Sequence, residues 1–223
     1  MQVITRKYAY SIGIDEAGRA ARKGESSPRF AGEAGRPVRY YIGIDEAGRG
    51  PLAGPVVVGG VKMKRGMGRL LSGIKDSKKL SAKQREEWFA KLTVHPNIAW
   101  AVARVYPKTI DRINIARATN LGVRRVYQKL SDAKSTPALL DGSLYLPSYI
   151  PYKTIIRGDE KIPIISAASI IAKVTRDRIM TRLHKKYPEY RFDIHKGYGT
   201  KLHRAMIKKH GRSEVHRKSF QTS

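Results

Sequence analysis

Carboxylates recur in this sequence where a short apolar run meets a glycine. Asp45 and Glu46 stand side by side, Asp141 comes directly before a glycine, and Asp159 comes directly after one. Because strand ends meet at one edge of a sheet, these four side chains can form a single cluster. Clustered carboxylates suit hard divalent cations, particularly Mg²⁺ or Mn²⁺. Two such ions about 4 Å apart can activate a water and stabilise the leaving oxygen in phosphodiester hydrolysis.

Each acidic signal also has an ordinary structural interpretation when it is taken alone. An Asp-Glu pair is typical of a solvated surface, and an Asp beside a glycine is typical of a turn or a helix cap. Their joint occurrence in a chain whose formal net charge is +27 favours a site. Without cations, four clustered carboxylates would repel one another, and some would take up protons.

The acidic pair leads into a turn formed by Gly48, Arg49 and Gly50. Alternation along a strand sends Asp45 and Glu46 to opposite faces, so the sequence predicts a bend or bulge at this point. The glycines permit that bend, and they leave backbone N–H groups open to a ligand that approaches closely.

The composition indicates a polyanionic partner. Lysine and arginine total 45 against 18 acidic residues, which points most simply to nucleic acid. The absence of cysteine excludes disulfides and thiolate metal sites, and no apolar run approaches the roughly 20 residues of a transmembrane helix. We therefore expect a cytoplasmic monomer with no membrane contact. The histidines show no zinc-ligand spacing, and five of them are expected on the basic surface: His184, His195, His203, His210 and His216.

Apolar patterning predicts a mixed α/β fold. Strands are expected at 40–46, 54–63, 98–102, 138–141 and 152–157, with the first two forming a hairpin. Helices are expected from the capping box of Ser81 and Gln84 to about residue 92, from Pro107 to 130, over 166–186, and from Thr200 to Gly211. A basic helical part and a basic tail complete the chain.

Residues 12–19 repeat residues 42–49 without change. The copies diverge after the arginine, where the first has Ala20 and the second has Gly50, and only the second continues into an apolar strand. Only one copy can occupy a central strand, and we place the second copy there. Residues 1–39 are expected to form a poorly structured extension, and residues 40–223 to form the folded domain.

The run from Gly43 to Pro51 resembles the first motif of the type 2 ribonucleases H, specifically the bacterial ribonuclease HII family, and the resemblance extends over about residues 40–220. It implies a ribonuclease H-like mixed central sheet flanked by helices. The metal-binding carboxylates of that family match Asp45, Glu46, Asp141 and Asp159.

The resemblance also implies a substrate and a reaction. Gly48, Arg49 and Gly50 would contact a ribonucleotide 2′-hydroxyl through the backbone, and Tyr198 would pack on the neighbouring sugar. Lys78 and Lys173 are expected to contact phosphates. The implied enzyme hydrolyses RNA in RNA–DNA hybrids and nicks 5′ of ribonucleotides in duplex DNA, leaving a 3′-hydroxyl and a 5′-phosphate.

Two alternatives remain open at this point. A non-catalytic, basic nucleic-acid-binding protein, such as a ribosome-associated factor, would explain the charge but not the spaced carboxylates. Ribonuclease HIII is the nearer alternative, although its resemblance would imply a larger N-terminal substrate-binding domain than residues 1–39 provide.

Overall fold

The structure is a computed structural model that describes residues 39–132 and 136–221. The expected extension, including its copy of the duplicated motif, lies outside the described residues except for Arg39.

A mixed five-stranded sheet forms the centre of the described part. Its strands are β1 (Tyr40–Ala47), β2 (Val56–Lys64), β3 (Ile98–Val105), β4 (Ala138–Asp141) and β5 (Tyr152–Ile155). The spatial order is β3-β2-β1-β4-β5, in which β1, β2 and β3 pair antiparallel while β4 lies parallel to both β1 and β5. The predicted hairpin and the predicted mixed sheet are therefore confirmed.

The bulge predicted at the acidic pair is wrong. The pairing of β1 with β2 runs one to one from Tyr40 to Ala47, with Asp45 opposite Gly59 and Glu46 opposite Val58. The two side chains nevertheless offer oxygen atoms within 4.8 Å of each other, so they reach one site without an extra residue in the ladder.

The described residues contain seven α-helices. They are α1 (Ala82–Val94), α2 (Pro107–Ile113), α3 (Ile115–Leu130), α4 (Gly158–Lys161), α5 (Pro163–Lys186), α6 (Phe192–His195) and α7 (Lys201–His210). The Ser81–Gln84 capping box of α1 and the Thr200 cap of α7 are present as predicted.

Glycines let two helices approach the sheet closely. A Cβ added at Gly43 or at Gly59 would lie 2.5 Å from a backbone oxygen of α5. On the opposite face, a Cβ added at Gly122 of α3 would lie 2.5 Å from the Val58 side chain. Because helices cover both faces, β2 and the central residues of β1 are buried continuously rather than at alternate positions.

Several predicted element boundaries need correction. The strand expected over 98–102 continues to Val105. The helix expected from Pro107 is interrupted at Asn114, whose φ of 65° breaks the helical path and whose side chain accepts the Arg117 N–H to begin α3. The long helix α5 begins at Pro163 rather than residue 166, since proline suits the first helical position. The strand expected over 152–157 ends at Ile155.

Residues 213–220, which we call the C-terminal segment, are not the tail that the sequence predicted. His216 forms a β-bridge with Ala53, and Arg217 donates its backbone N–H to the Leu52 carbonyl at 2.8 Å. Asp111 accepts hydrogen bonds from the backbone of Lys218 and Ser219. The segment is thus fixed to the body of the domain at both ends.

The expectation that five histidines lie on the basic surface is wrong for His195, His203 and His216. All three are buried and pack against Phe192. Burial lowers the pKa of His203 and of His216 to about 4, so both are neutral at physiological pH and suit an aromatic interior. His210 is exposed and His184 is partly exposed.

Candidate active site

The acidic pair of β1 and the carboxylate of β4 meet at one edge of the sheet. The two strands are parallel neighbours with Ile44 in register with Leu140, so Asp45 and Asp141 follow at the same carboxyl end. Asp45, Glu46 and Asp141 offer oxygen atoms that all lie within 4.8 Å of one another. The strand pairing therefore explains how residues about a hundred positions apart form one group.

Asp159 lies next to this group but is held differently. The backbone N–H groups of Gly158 and Asp159 donate to Asp141 Oδ1 at 2.6 and 3.3 Å, so the start of α4 orients the β4 carboxylate. Asp159 is buried, and its Oδ2 accepts a hydrogen bond from Lys78 Nζ at 3.0 Å. The compact group of three excludes Asp159, whose charge is paired with Lys78 instead.

Burial and mutual repulsion raise the pKa of each carboxyl in the compact group. For Asp45, burial raises the pKa well above its usual range, and the charges of Glu46 and Asp141 raise it further. Burial also raises the pKa of Glu46, against the opposing effect of Arg49, and it raises the pKa of Asp141 together with the charge of Asp159. Each of these carboxyls is therefore harder to ionise in the folded protein.

The group fits a hard divalent cation. Glu46 Oε2 is buried and has no hydrogen-bond partner among the described residues, which leaves an acceptor atom available inside the cluster. A cation would satisfy that atom and relieve the repulsion among three close carboxylates, and oxygen-only ligands are those that Mg²⁺ and Mn²⁺ prefer.

The turn of Gly48, Arg49 and Gly50 follows directly from the acidic pair. Gly48 has a φ of 92°, and a Cβ there would lie 1.9 Å from Arg176 Nε, so both the conformation and the packing require glycine. Arg49 Nη1 lies 3.4 Å from Glu46 Oε1 and donates to Ser143 Oγ at 3.3 Å. A Cβ at Gly50 would meet no atom within 4 Å, so this residue borders open space.

The other predicted substrate contacts differ in their relation to the carboxylates. Tyr198 is 44% exposed, and its ring centre lies 5.7 Å from Cζ of Arg176, the side chain that also packs against Gly48. Lys78 reaches the carboxylates through Asp159, as described above. Lys173 donates to Asp177 at 2.9 Å one helical turn away, so its ammonium group is engaged within α5.

Sequence reasoning missed two serines that support the cluster. The hydroxyl of Ser169 in α5 favours the ionised form of Asp45 and so opposes the rise in its pKa, and it lies 2.9 Å from the hydroxyl of Ser77, which is also buried. In the sequence, Ser77 and Ser169 are simply small hydroxyl residues near or within apolar segments. That pattern is too common to identify a site.

The comparisons with known proteins agree with this geometry. The family model described as ribonuclease HII matches residues 42–223. A ribonuclease HII from Chlamydia pneumoniae is 48% identical over 221 residues, covering 98% of this chain and 86% of its own length. One from Coxiella burnetii is 49% identical over 174 residues, covering 77% and 83%.

Solved structures show the same fold. Ribonuclease H2 from Pyrococcus horikoshii OT3 is 30% identical, with a TM-score of 0.66 over 82% of this chain and 94% of that one. Among the described residues, no helix is long and apolar enough to cross a membrane. Because the family model spans most of the chain and close relatives cover it at nearly half identity, this chain belongs to the ribonuclease HII family and is a hydrolase with ribonuclease H activity.

Proposed function

We propose that this enzyme hydrolyses the RNA strand of RNA–DNA hybrids and nicks duplex DNA on the 5′ side of an embedded ribonucleotide. Its products would carry a 3′-hydroxyl and a 5′-phosphate. The observation that carries the proposal is the meeting of three buried or partly buried carboxylates within 4.8 Å, directly before a glycine-bracketed turn on the same strand.

Asp45, Glu46, Asp141 and Asp159 are proposed to hold two divalent ions, either Mg²⁺ or Mn²⁺. When bound, such ions supply an activated water and stabilise the leaving oxygen of the phosphodiester. The chain itself provides fixed ligand directions, because the amides of α4 donate to Asp141 and the Glu46 amide donates to Asp45. Asp159 is included in this set because it lies next to Asp141. Lys78, which donates to Asp159, could pair either with that carboxylate or with a phosphate of the substrate.

The turn of Gly48, Arg49 and Gly50 is proposed to recognise the 2′-hydroxyl, the group that separates RNA from DNA. Its support is positional, since the turn follows the carboxylates on one strand and Gly50 borders open space. Tyr198, close to Arg176 and half exposed, is proposed to pack on the neighbouring sugar. Lys173 and other basic side chains would bind phosphates independently of sequence, as a net charge of +27 favours.

A purely nucleic-acid-binding role is disfavoured by the same carboxylates. Burial and mutual repulsion make these carboxyls costly to ionise in the metal-free fold, and any that are ionised repel a phosphate backbone, so a protein that only binds nucleic acid would gain nothing from them.

A duplex DNA that contains one ribonucleotide tests the proposal. The purified enzyme should nick it only with Mg²⁺ or Mn²⁺, and the new ends should be a 3′-hydroxyl and a 5′-phosphate. Asp45→Asn and Asp141→Asn should lower the rate by about a hundredfold or more while leaving hybrid binding measurable. Glu86→Gln, which neutralises an exposed carboxylate paired with Arg178, is the matched control. If either Asn variant cleaved at the wild-type rate, the assignment of Asp45 and Asp141 as metal ligands would be wrong.

A further inference from the structure

Arg217, in the C-terminal segment, lies beneath the turn that is proposed to read the substrate. Its side chain is 1% exposed although it carries a charged guanidinium. Its Nη2 donates to the Gly48 carbonyl at 2.6 Å, its Nη1 to the Arg49 carbonyl at 2.7 Å, and its Nε to the Gly54 carbonyl at 3.0 Å. One buried cation thus holds three carbonyls around the turn, and none of these acceptors is a carboxylate.

These contacts determine which way the turn presents its amides. In a trans peptide, the N–H points opposite to the carbonyl of the preceding residue. Because the carbonyls of Gly48 and Arg49 point inward to Arg217, the N–H groups of Arg49 and Gly50 point away from it. Neither N–H donates a hydrogen bond to another described residue. Two adjacent outward N–H groups form a concave donor site for an oxygen ligand.

Arg176 of α5 supports the same region from the other side. It is fully buried and donates to the carbonyls of Ala53, Pro55 and Lys196 at 3.0 to 3.2 Å. The Lys196 contact fixes the chain just before Tyr198. Two cations without carboxylate partners are costly to bury. Their common role is to fix the backbone next to the proposed substrate site.

We infer that Arg217 is a positioning residue for ribonucleotide recognition: its guanidinium holds the turn so that the amides of Arg49 and Gly50 face the substrate. This inference rests on the proposed function. It also makes the C-terminal segment, which the sequence presented as a basic tail, a part of the recognition site. Arg217 itself, being buried, makes no contact with the substrate.

Binding selectivity separates positioning from a general effect on folding. In an Asp141→Asn background, where cleavage is blocked, affinity is measured for an all-DNA duplex and for the same duplex with one ribonucleotide. One or two added hydrogen bonds predict a preference of about tenfold for the ribonucleotide duplex. Arg217→Gln should reduce this preference to less than about twofold. A partly unfolded sample would instead weaken both affinities by the same factor.

Arg212→Gln is the matched control, because Arg212, just before the C-terminal segment, donates to the backbone carbonyls of Arg217, Lys218 and Phe220 within that segment. It should retain the tenfold preference. If Arg217→Gln does not fold, Arg217→Lys replaces it, and a single ammonium should also fail to hold three carbonyls.

The outcomes distinguish this inference from the proposed function. Suppose first that the wild-type enzyme nicks the ribonucleotide duplex. If the Asp141→Asn protein then shows no binding preference for that duplex, or if a folded Arg217 variant keeps the preference, the inference is wrong and the proposed function stands. If both Arg217 variants fail to fold while Arg212→Gln folds, Arg217 serves folding alone, which also overturns the inference. If the wild type does not nick the duplex, the proposed function fails first.

Discussion

Asp45→Asn should stabilise the metal-free enzyme while weakening its response to divalent cations. Asp45 is 3% exposed, and its carboxylate lies within 4.8 Å of those of Glu46 and Asp141. Two full charges at that separation repel by about 3 kcal/mol at an effective dielectric constant of about 20. The pKa values of all three carboxyls are raised, so part of the cluster takes up protons, and this proton uptake relieves part of the repulsion.

The expected net gain for Asp45→Asn in EDTA is about 1 to 2 kcal/mol, which corresponds to a rise in Tm of about 2 to 8 °C for a domain of this size. Asparagine retains an oxygen that can accept the Glu46 N–H, which Asp45 Oδ1 accepts at 2.7 Å. The substitution therefore removes charge with little change in shape.

The dependence on pH fixes the sign of this effect. The folded protein binds the Asp45 proton more tightly than the unfolded chain does, since the folded pKa is raised. The metal-free wild type should lose stability as the pH rises from the unfolded pKa, near 4, through the folded pKa. The advantage of the Asn variant should grow across the same window and be absent well below it.

Thermal denaturation in EDTA and in increasing Mn²⁺ measures both effects. At a hundred times Kd, the ion should stabilise the wild type by about 2.7 kcal/mol, or about 5 to 10 °C in Tm, and the Asn variant should show a much smaller rise. Glu86→Gln should behave as the wild type. A lower Tm for Asp45→Asn in EDTA at neutral pH, or an undiminished rise with Mn²⁺, would refute the reasoning.

Three further predictions concern the turn, the tyrosine and the extension. Gly50→Ala should leave the Tm unchanged, because the added methyl group meets no protein atom within 4 Å. It should slow cleavage of the single-ribonucleotide duplex about tenfold or more, because the methyl group would occupy space proposed for the substrate. An unchanged rate would contradict this. Tyr198→Ala should slow the same cleavage by about a hundredfold, and this loss should exceed the loss on a continuous hybrid. Tyr198→Phe should have a milder effect. Equal, small effects in rate assays of both substrates would make Tyr198 an ordinary loop residue. Deletion of residues 1–38 should leave activity within a few-fold, as should Asp15→Ala with Glu16→Ala; loss of cleavage by a folded deletion product would show that the wrong copy of the motif was chosen.

Local signals predicted much of the fold and the position of the acidic cluster. The Ser81–Gln84 capping box depends on residues three positions apart, and the β1–β2 hairpin depends on two adjacent apolar runs. Asp141 could be placed at a strand end because its apolar run and following glycine are contiguous. Each of these features is determined by nearby residues.

The features that sequence reasoning missed depend on distant contacts. Arg217 is buried by hydrogen bonds to carbonyls more than 160 residues earlier, and no nearby residue distinguishes it from the many exposed basic side chains. His203 and His216 were assigned to the surface from overall charge, although they pack with Phe192 in a buried aromatic cluster. The expected bulge at Asp45 is absent because β1 pairs with β2 without interruption, and Asp141 reaches the acidic pair through the pairing of β4 with β1, which depends on residues about a hundred positions apart.

Anomalous scattering from crystals grown with Mn²⁺ and a ribonucleotide-containing duplex tests the central claim, that the carboxyl ends of β1 and β4 hold the metal ions. The measurement requires the wild-type chain, because replacing Asp141 would remove one of the proposed metal ligands. A non-hydrolysable linkage 5′ of the ribonucleotide prevents cleavage during crystallisation. We expect anomalous peaks bound by Asp45, Glu46 and Asp141 at Mn–O distances of about 2.2 Å, with Asp159 completing the set. Peaks only at other sites, with Asp45 and Glu46 free of metal, would contradict it.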